Sequence, residues 1–123
     1  MSKILSIENG NLTQKVIDVS FKMIGYEVIR SDGEGDVLEL FKQNQKDISL
    51  VLCDYILPKE NGITIISRIK KINSSVPCFL MTGLFNDPQI PIDSYEKGVD
   101  LVIYKPFRFE YLQQNFIKYL TDK

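Results

Sequence analysis

Polar residues at the ends of apolar runs have the types needed for metal-assisted phosphoryl chemistry. They are Glu8, Asn9, Asp54, Thr82 and Lys105. In an open parallel sheet, functional groups gather beyond the carboxyl ends of the strands, so we expect these side chains to lie together. Carboxylate oxygens beside carbonyl oxygens suit a hard divalent cation such as Mg²⁺. A lysine and a hydroxyl can then bind the oxygens of a phosphoryl group held on that metal.

The elements that must position these residues are short apolar strands alternating with amphipathic helices. The predicted strands are residues 3–7, 26–30, 48–53, 76–81 and 101–104. The predicted helices are residues 11–24, 33–42, 62–72, 92–97 and 108–120. The continuous apolar run at 48–53 is typical of a strand buried on both faces of a parallel sheet. The alternation predicts an α/β, flavodoxin-like, doubly wound (βα)5 fold with a five-stranded parallel sheet in the order 2-1-3-4-5.

The fourth helix is predicted to be short or irregular. Pro88 and Pro91 lie where it should begin, and proline is tolerated at a helix start but not in its interior. Elsewhere the apolar spacing is regular. A stripe at every third residue of the third helix is predicted to face the core, and it consists of Ile63, Ile66, Ile69 and Ile72.

Length and composition restrict the functional classes. The 123 residues suit one domain, 1–123, and a formal net charge of −1 gives no electrostatic reason to bind nucleic acid or a membrane. The sequence has no histidine, which excludes Ser-His-Asp and Cys-His catalysis and a phosphohistidine carrier. No apolar run approaches the ~20 residues of a membrane helix, and the N-terminus lacks a signal peptide's features. We expect a cytoplasmic protein in which Cys53 and Cys78 are buried thiols.

Three segments carry a resemblance to a known family. Residues 54–62 read D-Y-I-L-P-K-E-N-G, residues 81–83 read M-T-G, and residues 98–107 end in Y-K-P-F. Together they resemble the receiver domain of bacterial two-component response regulators, in the manner of single-domain chemotaxis regulators. The resemblance covers nearly the whole chain. The matching motif residues are Asp54, Pro58, Gly62, Thr82, Gly83, Lys105 and Pro106.

The resemblance implies a role for each residue of the phosphoryl site. Asp54 would accept a phosphoryl group from a sensor histidine kinase or a histidine phosphotransfer protein. Thr82 would hydrogen-bond the transferred group, and Lys105 would pair with its charge. The bond between Lys105 and Pro106 is expected to be cis. The remaining motif residues would shape the loops, and they are Pro58, Gly62, Gly83 and Pro106.

The resemblance also implies an Mg²⁺ site. Glu8, Asp54 and the backbone carbonyl of Ile56 would hold the ion, with Asn9 where the family usually has a second acid. Asparagine offers a carbonyl oxygen but no charge, so we expect weaker Mg²⁺ binding. Asn9 has an alternative role as the cap of the following helix, and the two roles are compatible.

Two further positions depart from the family pattern. The family commonly has Tyr or Phe three residues before the lysine, where this chain has Val102, so we expect no aromatic switch coupled to Thr82. Ile56 and Leu84 lie two residues past Asp54 and Thr82, where the family tunes hydrolysis. Neither aliphatic side chain can orient an attacking water, so slow self-dephosphorylation is expected.

The leading interpretation is a switchable binding module that acts on an unidentified downstream protein, with no turnover beyond self-phosphorylation and slow self-dephosphorylation. The alternative is a degenerate receiver that works as a phosphorylation-independent interaction module. An aspartate-nucleophile phosphatase is less well supported, because Ile56 stands where such enzymes have a second acid. A homodimer is a further alternative, which no residue pattern supports. The aromatic residues Phe107, Phe109 and Tyr111 are expected to pack in the core rather than form an interaction surface.

Overall fold

The computed structural model describes residues 3–121, in which strands and helices alternate along the chain. The strands are β1 Lys3–Ile7, β2 Glu27–Ser31, β3 Ile48–Asp54, β4 Cys78–Thr82 and β5 Leu101–Tyr104. The helices are α1 Asn11–Lys22, α2 Val37–Asn44, α3 Gly62–Ile72, α4 Gln89–Glu96 and α5 Phe109–Thr121. No helix among the described residues is both long and apolar enough to cross a membrane.

The strands form one parallel sheet in the order β2-β1-β3-β4-β5. This order confirms the predicted doubly wound fold. Every residue of β3, at the centre of the sheet, is buried, as its unbroken apolar run predicts. β1 and β3 are neighbours, and the connections that leave them run toward opposite edges of the sheet. A crevice at such a topological switch point is the usual ligand site of this architecture.

Helices cover both faces of the sheet because successive strand residues point to opposite sides. On one face, Phe21 of α1 and Phe116 of α5 pack edge to face with ring centroids 5.3 Å apart. On the other face, the core contains Phe41 of α2, Ile66 of α3 and Ile90 of α4. The apolar stripe of α3 packs as predicted, and Cys53 and Cys78 are buried thiols.

Helix α2 begins later than predicted. The sequence pattern places its start at residue 33, but Gly33 has a φ of +86° and lies in the loop. The helix instead begins at Val37, where the side chain of Asp36 accepts a hydrogen bond of 3.0 Å from the backbone N–H of Glu39. A capping aspartate satisfies an N–H that would otherwise lack a partner, so it fixes the start of the helix.

Helix α4 is short, but its predicted start at residue 92 is wrong. The helix begins at Gln89 and includes Pro91 in its first turn. The first four N–H groups of a helix have no partner within it, so the N–H that Pro91 lacks would not have been used. The two prolines therefore lie at the start of the helix rather than before it.

The prediction that the aromatic residues near the start of α5 pack in the core is wrong for two of the three. Phe107 is half-buried against the core. Phe109 and Tyr111 are 37% and 45% exposed. Leu112 and Phe116 fill the core instead, since helical periodicity turns the preceding residues outward.

Candidate functional site

The carboxyl ends of four strands bring the predicted polar residues together. Glu8 follows β1, Asp54 ends β3, Thr82 ends β4, and Lys105 follows β5. Asp54 pairs in register with Met81, the neighbour of Thr82, so the two strand ends coincide. The backbone N–H of Lys105 donates to the carbonyl of Thr82 at 2.8 Å, which holds the lysine beside β4.

Lys105 lies between two carboxylates. Its Nζ is 2.7 Å from Glu8 Oε2 and 3.1 Å from Asp54 Oδ2. The side chains of Glu8, Asp54 and Lys105 are 1%, 10% and 23% exposed. The ammonium therefore neutralises part of a negative charge that has been largely removed from water.

Each oxygen of the Glu8 carboxylate has a different environment. Oε1 accepts a hydrogen bond of 2.8 Å from the backbone N–H of Gly10. Oε2 is buried and, among residues 3–121, receives no hydrogen bond of good geometry, although the Lys105 ammonium is its ion-pair partner. An oxygen of this kind retains free capacity to bind a cation.

The charges of the site shift the acid–base equilibria of its residues. Burial raises the pKa of Asp54 from 3.8 to about 6, and the nearby charge of Glu8 adds to the rise while Lys105 opposes it. Burial acts to lower the pKa of Lys105, but its contacts with Glu8 and Asp54 outweigh burial and leave that pKa raised. Lys105 is thus held in its charged form.

Thr82 is buried and its hydroxyl has a local partner. Oγ1 accepts a hydrogen bond of 3.1 Å from the backbone N–H of Leu84, the first part of the loop leading to α4. A hydroxyl that accepts one hydrogen bond still has its own proton to donate. Leu84 and Ile56, the two aliphatic residues flanking the site, are 44% and 64% exposed.

The loop residues of the motifs differ in how strongly the structure requires them. A Cβ on Gly62 would lie 2.2 Å from the carbonyl oxygen of Asp54, so the close approach of α3 to β3 excludes a side chain there. A Cβ on Gly83 would meet nothing within 4 Å. Pro58 contacts the β2–α2 loop, where a Cβ on Gly33 would lie 3.2 Å from its Cδ. The peptide bond between Lys105 and Pro106 is cis, as expected.

Asn9 is exposed and directly follows Glu8 in the chain. It lines an open cleft of about 710 Å³ together with Glu8. The predicted capping role of Asn9 is wrong, because Gly10 occupies the N-cap position of α1 and no side chain caps the helix. The side-chain amide of Asn9 is therefore not committed to that helix start.

The oxygen set fits a hard cation that takes ligands from several sources. The described residues contain no cluster of three or more Asp, Glu, His or Cys side chains placed to hold a metal. Glu8 and Asp54 supply two carboxylates. Oε2 of Glu8 receives no hydrogen bond of good geometry from the described residues. A cation would offset both the burial of Asp54 and its repulsion by Glu8, which together raise the pKa of Asp54. Further ligands would come from the amide of Asn9 and the backbone carbonyl of Ile56.

Val102 is buried in the core, opposite Leu80 in the register. Sequence reasoning missed the residue that contacts it. The hydroxyl of Tyr95 on α4 accepts a hydrogen bond of 3.1 Å from the backbone N–H of Val102. An aromatic residue thus meets β5 from the neighbouring helix at the position where the strand itself has valine. Tyr95 lies in the last turn of α4, and no pattern in the sequence indicates that its hydroxyl contacts β5.

The chain belongs to the response regulator receiver domain family, whose model matches residues 4–117. A probable transcriptional regulator ycf27 of Guillardia theta is 35% identical over 106 residues, which cover 85% of this chain and 40% of that protein. A cyclic di-GMP phosphodiesterase of Thermotoga maritima is 28% identical, over 98% of this chain and 31% of that protein. The chain thus spans about two-fifths or less of the length of these curated relatives.

Solved structures show the same fold. A response regulator receiver domain protein of Clostridium thermocellum superposes with a TM-score of 0.88 at 24% identity, over 99% of this chain and 96% of that chain. A chain of the CheX–CheY–BeF3–Mg²⁺ complex of Borrelia burgdorferi superposes with a TM-score of 0.84 at 25% identity, over 96% of this chain and 88% of that chain. The family and the fold predicted from the sequence are confirmed.

Proposed function

We propose that this chain is a cytoplasmic phospho-accepting receiver in which Asp54 takes a phosphoryl group from a phosphohistidine donor. The donor would be a sensor histidine kinase or a histidine phosphotransfer protein, and phosphorylation would switch binding to a downstream protein. Residues 1–123 would act as one receiver domain. The observation that carries the proposal is the Lys105 ammonium, placed within ion-pair distance of the Asp54 carboxylate at the strand ends.

The positions of the side chains support the following transfer step. A carboxylate oxygen of Asp54 attacks phosphorus, the phosphorus–nitrogen bond of the phosphohistidine breaks, and the imidazole leaves with the electron pair and takes up a proton. Bound Mg²⁺ would supply charge neutralisation of the phosphoryl oxygens. Lys105 carries the positive charge that pairs with the acyl phosphate, and Thr82 donates its hydroxyl proton to a phosphoryl oxygen.

Mg²⁺ would be held by Glu8, Asn9, Asp54 and the backbone carbonyl of Ile56. The support is the chemistry of the donor set, since all are hard oxygen ligands. The Borrelia complex of CheX, CheY, BeF3 and Mg²⁺ supports a bound Mg²⁺ by likeness. The chain has fewer acidic ligands than the family pattern, so the site would bind the ion weakly.

A second candidate function is a degenerate receiver that binds its partner without phosphorylation. Two observations favour it: Asn9 is neutral where the family usually has a second acid, and Val102 stands where the family commonly has Tyr or Phe. Neither removes the groups that would accept and bind the phosphoryl group.

Intact-mass spectrometry after incubation with acetyl phosphate and Mg²⁺ tests the proposal. The wild type and the control Asp47→Asn, which changes an exposed aspartate at the opposite end of β3 from Asp54, should each gain one phosphoryl group, whereas Asp54→Asn should gain none. The time course after removal of the donor should show slow loss, and a half-life of seconds would contradict the role given to Ile56 and Leu84. If the wild type gains nothing from acetyl phosphate or from a phosphorylated histidine phosphotransfer protein, the unswitched module is the better description.

A further inference from the structure

The ammonium of Lys105 is closer to the carboxylate of Glu8 than to the carboxylate of Asp54. Its Nζ is 2.7 Å from Glu8 Oε2 and 3.1 Å from Asp54 Oδ2. The Glu8 side chain is almost fully buried, and its other oxygen is bound to the N–H of Gly10. The oxygen that faces Lys105 is therefore the one that Glu8 has left to offer a cation.

The net negative charge of the site is small for binding a divalent cation. Two carboxylates and one ammonium leave a net charge of −1. Asn9 lies next to this group in the chain and contributes no charge. With so little negative charge present, a tethered positive charge at 2.7 Å from a ligand oxygen has a large relative effect on cation binding.

We propose that Lys105 is an internal counter-ion that competes with the divalent cation for Glu8 and thereby sets the affinity of the site. The inference rests on the metal site of the proposed function. When a cation occupies Glu8 Oε2, the ammonium must leave that oxygen, and Asp54 Oδ2 is the acceptor that remains within its reach. Cation binding therefore releases Lys105 toward Asp54, whose carboxylate receives the phosphoryl group in the proposed function.

Isothermal titration with Mg²⁺ and no phosphodonor tests this competition. Lys105→Met should bind Mg²⁺ more tightly by on the order of tenfold, because a positive charge near the ion is removed. Lys105→Arg keeps the charge and should show no such gain. Lys42→Met removes an exposed lysine of α2 and should leave the affinity unchanged. Circular dichroism of each variant checks that the fold is retained.

A double-mutant cycle with Glu8→Gln shows whether the competition acts through Glu8. In the Glu8→Gln background, the gain from Lys105→Met should be clearly smaller than in the wild type. An unchanged or weakened affinity in Lys105→Met, an equal gain in both backgrounds, or no Mg²⁺ binding by any variant would each overturn the inference. The proposed function is judged separately, because phosphorylation of Asp54 in excess Mg²⁺ is measured by mass and does not depend on the ranking of affinities.

Discussion

At the scale of single residues, the surroundings of Asp54 oppose its charged form. Its carboxylate is largely buried and lies near that of Glu8, and the single ammonium of Lys105 offsets this only in part. Such a placement lowers stability but leaves a carboxylate ready to interact with an incoming cation or phosphoryl group. The destabilisation applies only to the charged form of the Asp54 carboxyl group, so it depends on pH.

We expect Asp54→Asn to stabilise the metal-free protein at pH 8. The folded-state pKa of about 6 lies above the ordinary value of 3.8, so folding favours the protonated acid. The stability that Asp54 contributes is therefore fully present below about pH 4 and is lost as the pH rises through 6. The melting temperature of Asp54→Asn in a chelator should exceed that of the wild type by a few degrees at pH 8, since solvent at the open rim screens part of the repulsion.

The difference between the two proteins should disappear near pH 4, where Asp54 is protonated. Glu34→Gln removes an exposed acid and should show no such pH-dependent difference. A wild type that is more stable than Asp54→Asn at pH 8 in the chelator would contradict the raised pKa.

Among the elements, α4 has few attachments to the rest of the fold. It has eight residues, of which Ile90 and Ser94 are buried. The hydroxyl of Ser94 donates to the carbonyl of Ile90 within the same helix, so it adds no attachment to the sheet. The bond from the N–H of Val102 to the Tyr95 hydroxyl does connect α4 to β5, which is an edge strand. A helix held this lightly can be displaced at small energetic cost.

Tyr95→Phe should weaken the attachment of α4 to β5. The variant removes the hydroxyl and leaves the N–H of Val102 without this partner, which costs about 1 kcal/mol. Hydrogen exchange followed by NMR should show the Val102 amide exchanging several-fold faster. Tyr111→Phe removes an exposed hydroxyl on α5 and is the matched control. Equal protection of Val102 in the wild type and Tyr95→Phe would show that the bond does not hold α4 in place.

At the scale of the whole molecule, a polar clamp joins α3 to the amino-terminal ends of β4 and β5. Lys70 Nζ donates to the carbonyl of Val76 and to Asp100 Oδ2, both at 2.7 Å. The same Oδ2 accepts the backbone N–H of Cys78 at 2.8 Å. The clamp lies at the end of the sheet opposite the polar site, so it supports the strands without taking part in the chemistry.

Lys70→Met should destabilise the fold by about 1–3 kcal/mol, because it removes a charged donor from a partly buried carboxylate and from a backbone carbonyl. Urea denaturation at pH 7 measures the loss. Lys71→Met, at the adjacent exposed position of the same helix, makes the same change in charge and should cost far less. Phosphorylation of Lys70→Met under native conditions should match the wild type, since the clamp is remote from Asp54. Equal unfolding free energies for the two variants would show that the clamp does not stabilise the fold.

The sequence by itself determined the architecture and which residues lie at the carboxyl edge of the sheet. Periodicity predicted β1, α3 and β5 with the bounds that the structure has, because apolar spacing records which faces are buried. The alternation of strands and helices indicated a parallel sheet, and such a sheet gathers its strand ends at one edge. Glu8, Asp54 and Lys105 could thus be placed together before any distance was known.

The tertiary structure decided the features that depend on loop paths and on packing between distant segments. The ammonium of Lys105 lies nearer to Glu8 than to Asp54, and this contact joins the loop after β5 to the loop after β1. Gly10 rather than Asn9 is the N-cap residue of α1, and the hydroxyl of Tyr95 meets the N–H of Val102 from another element. Apolar periodicity carries no information on such contacts, since it records which face of an element is buried and not which polar atom lies opposite.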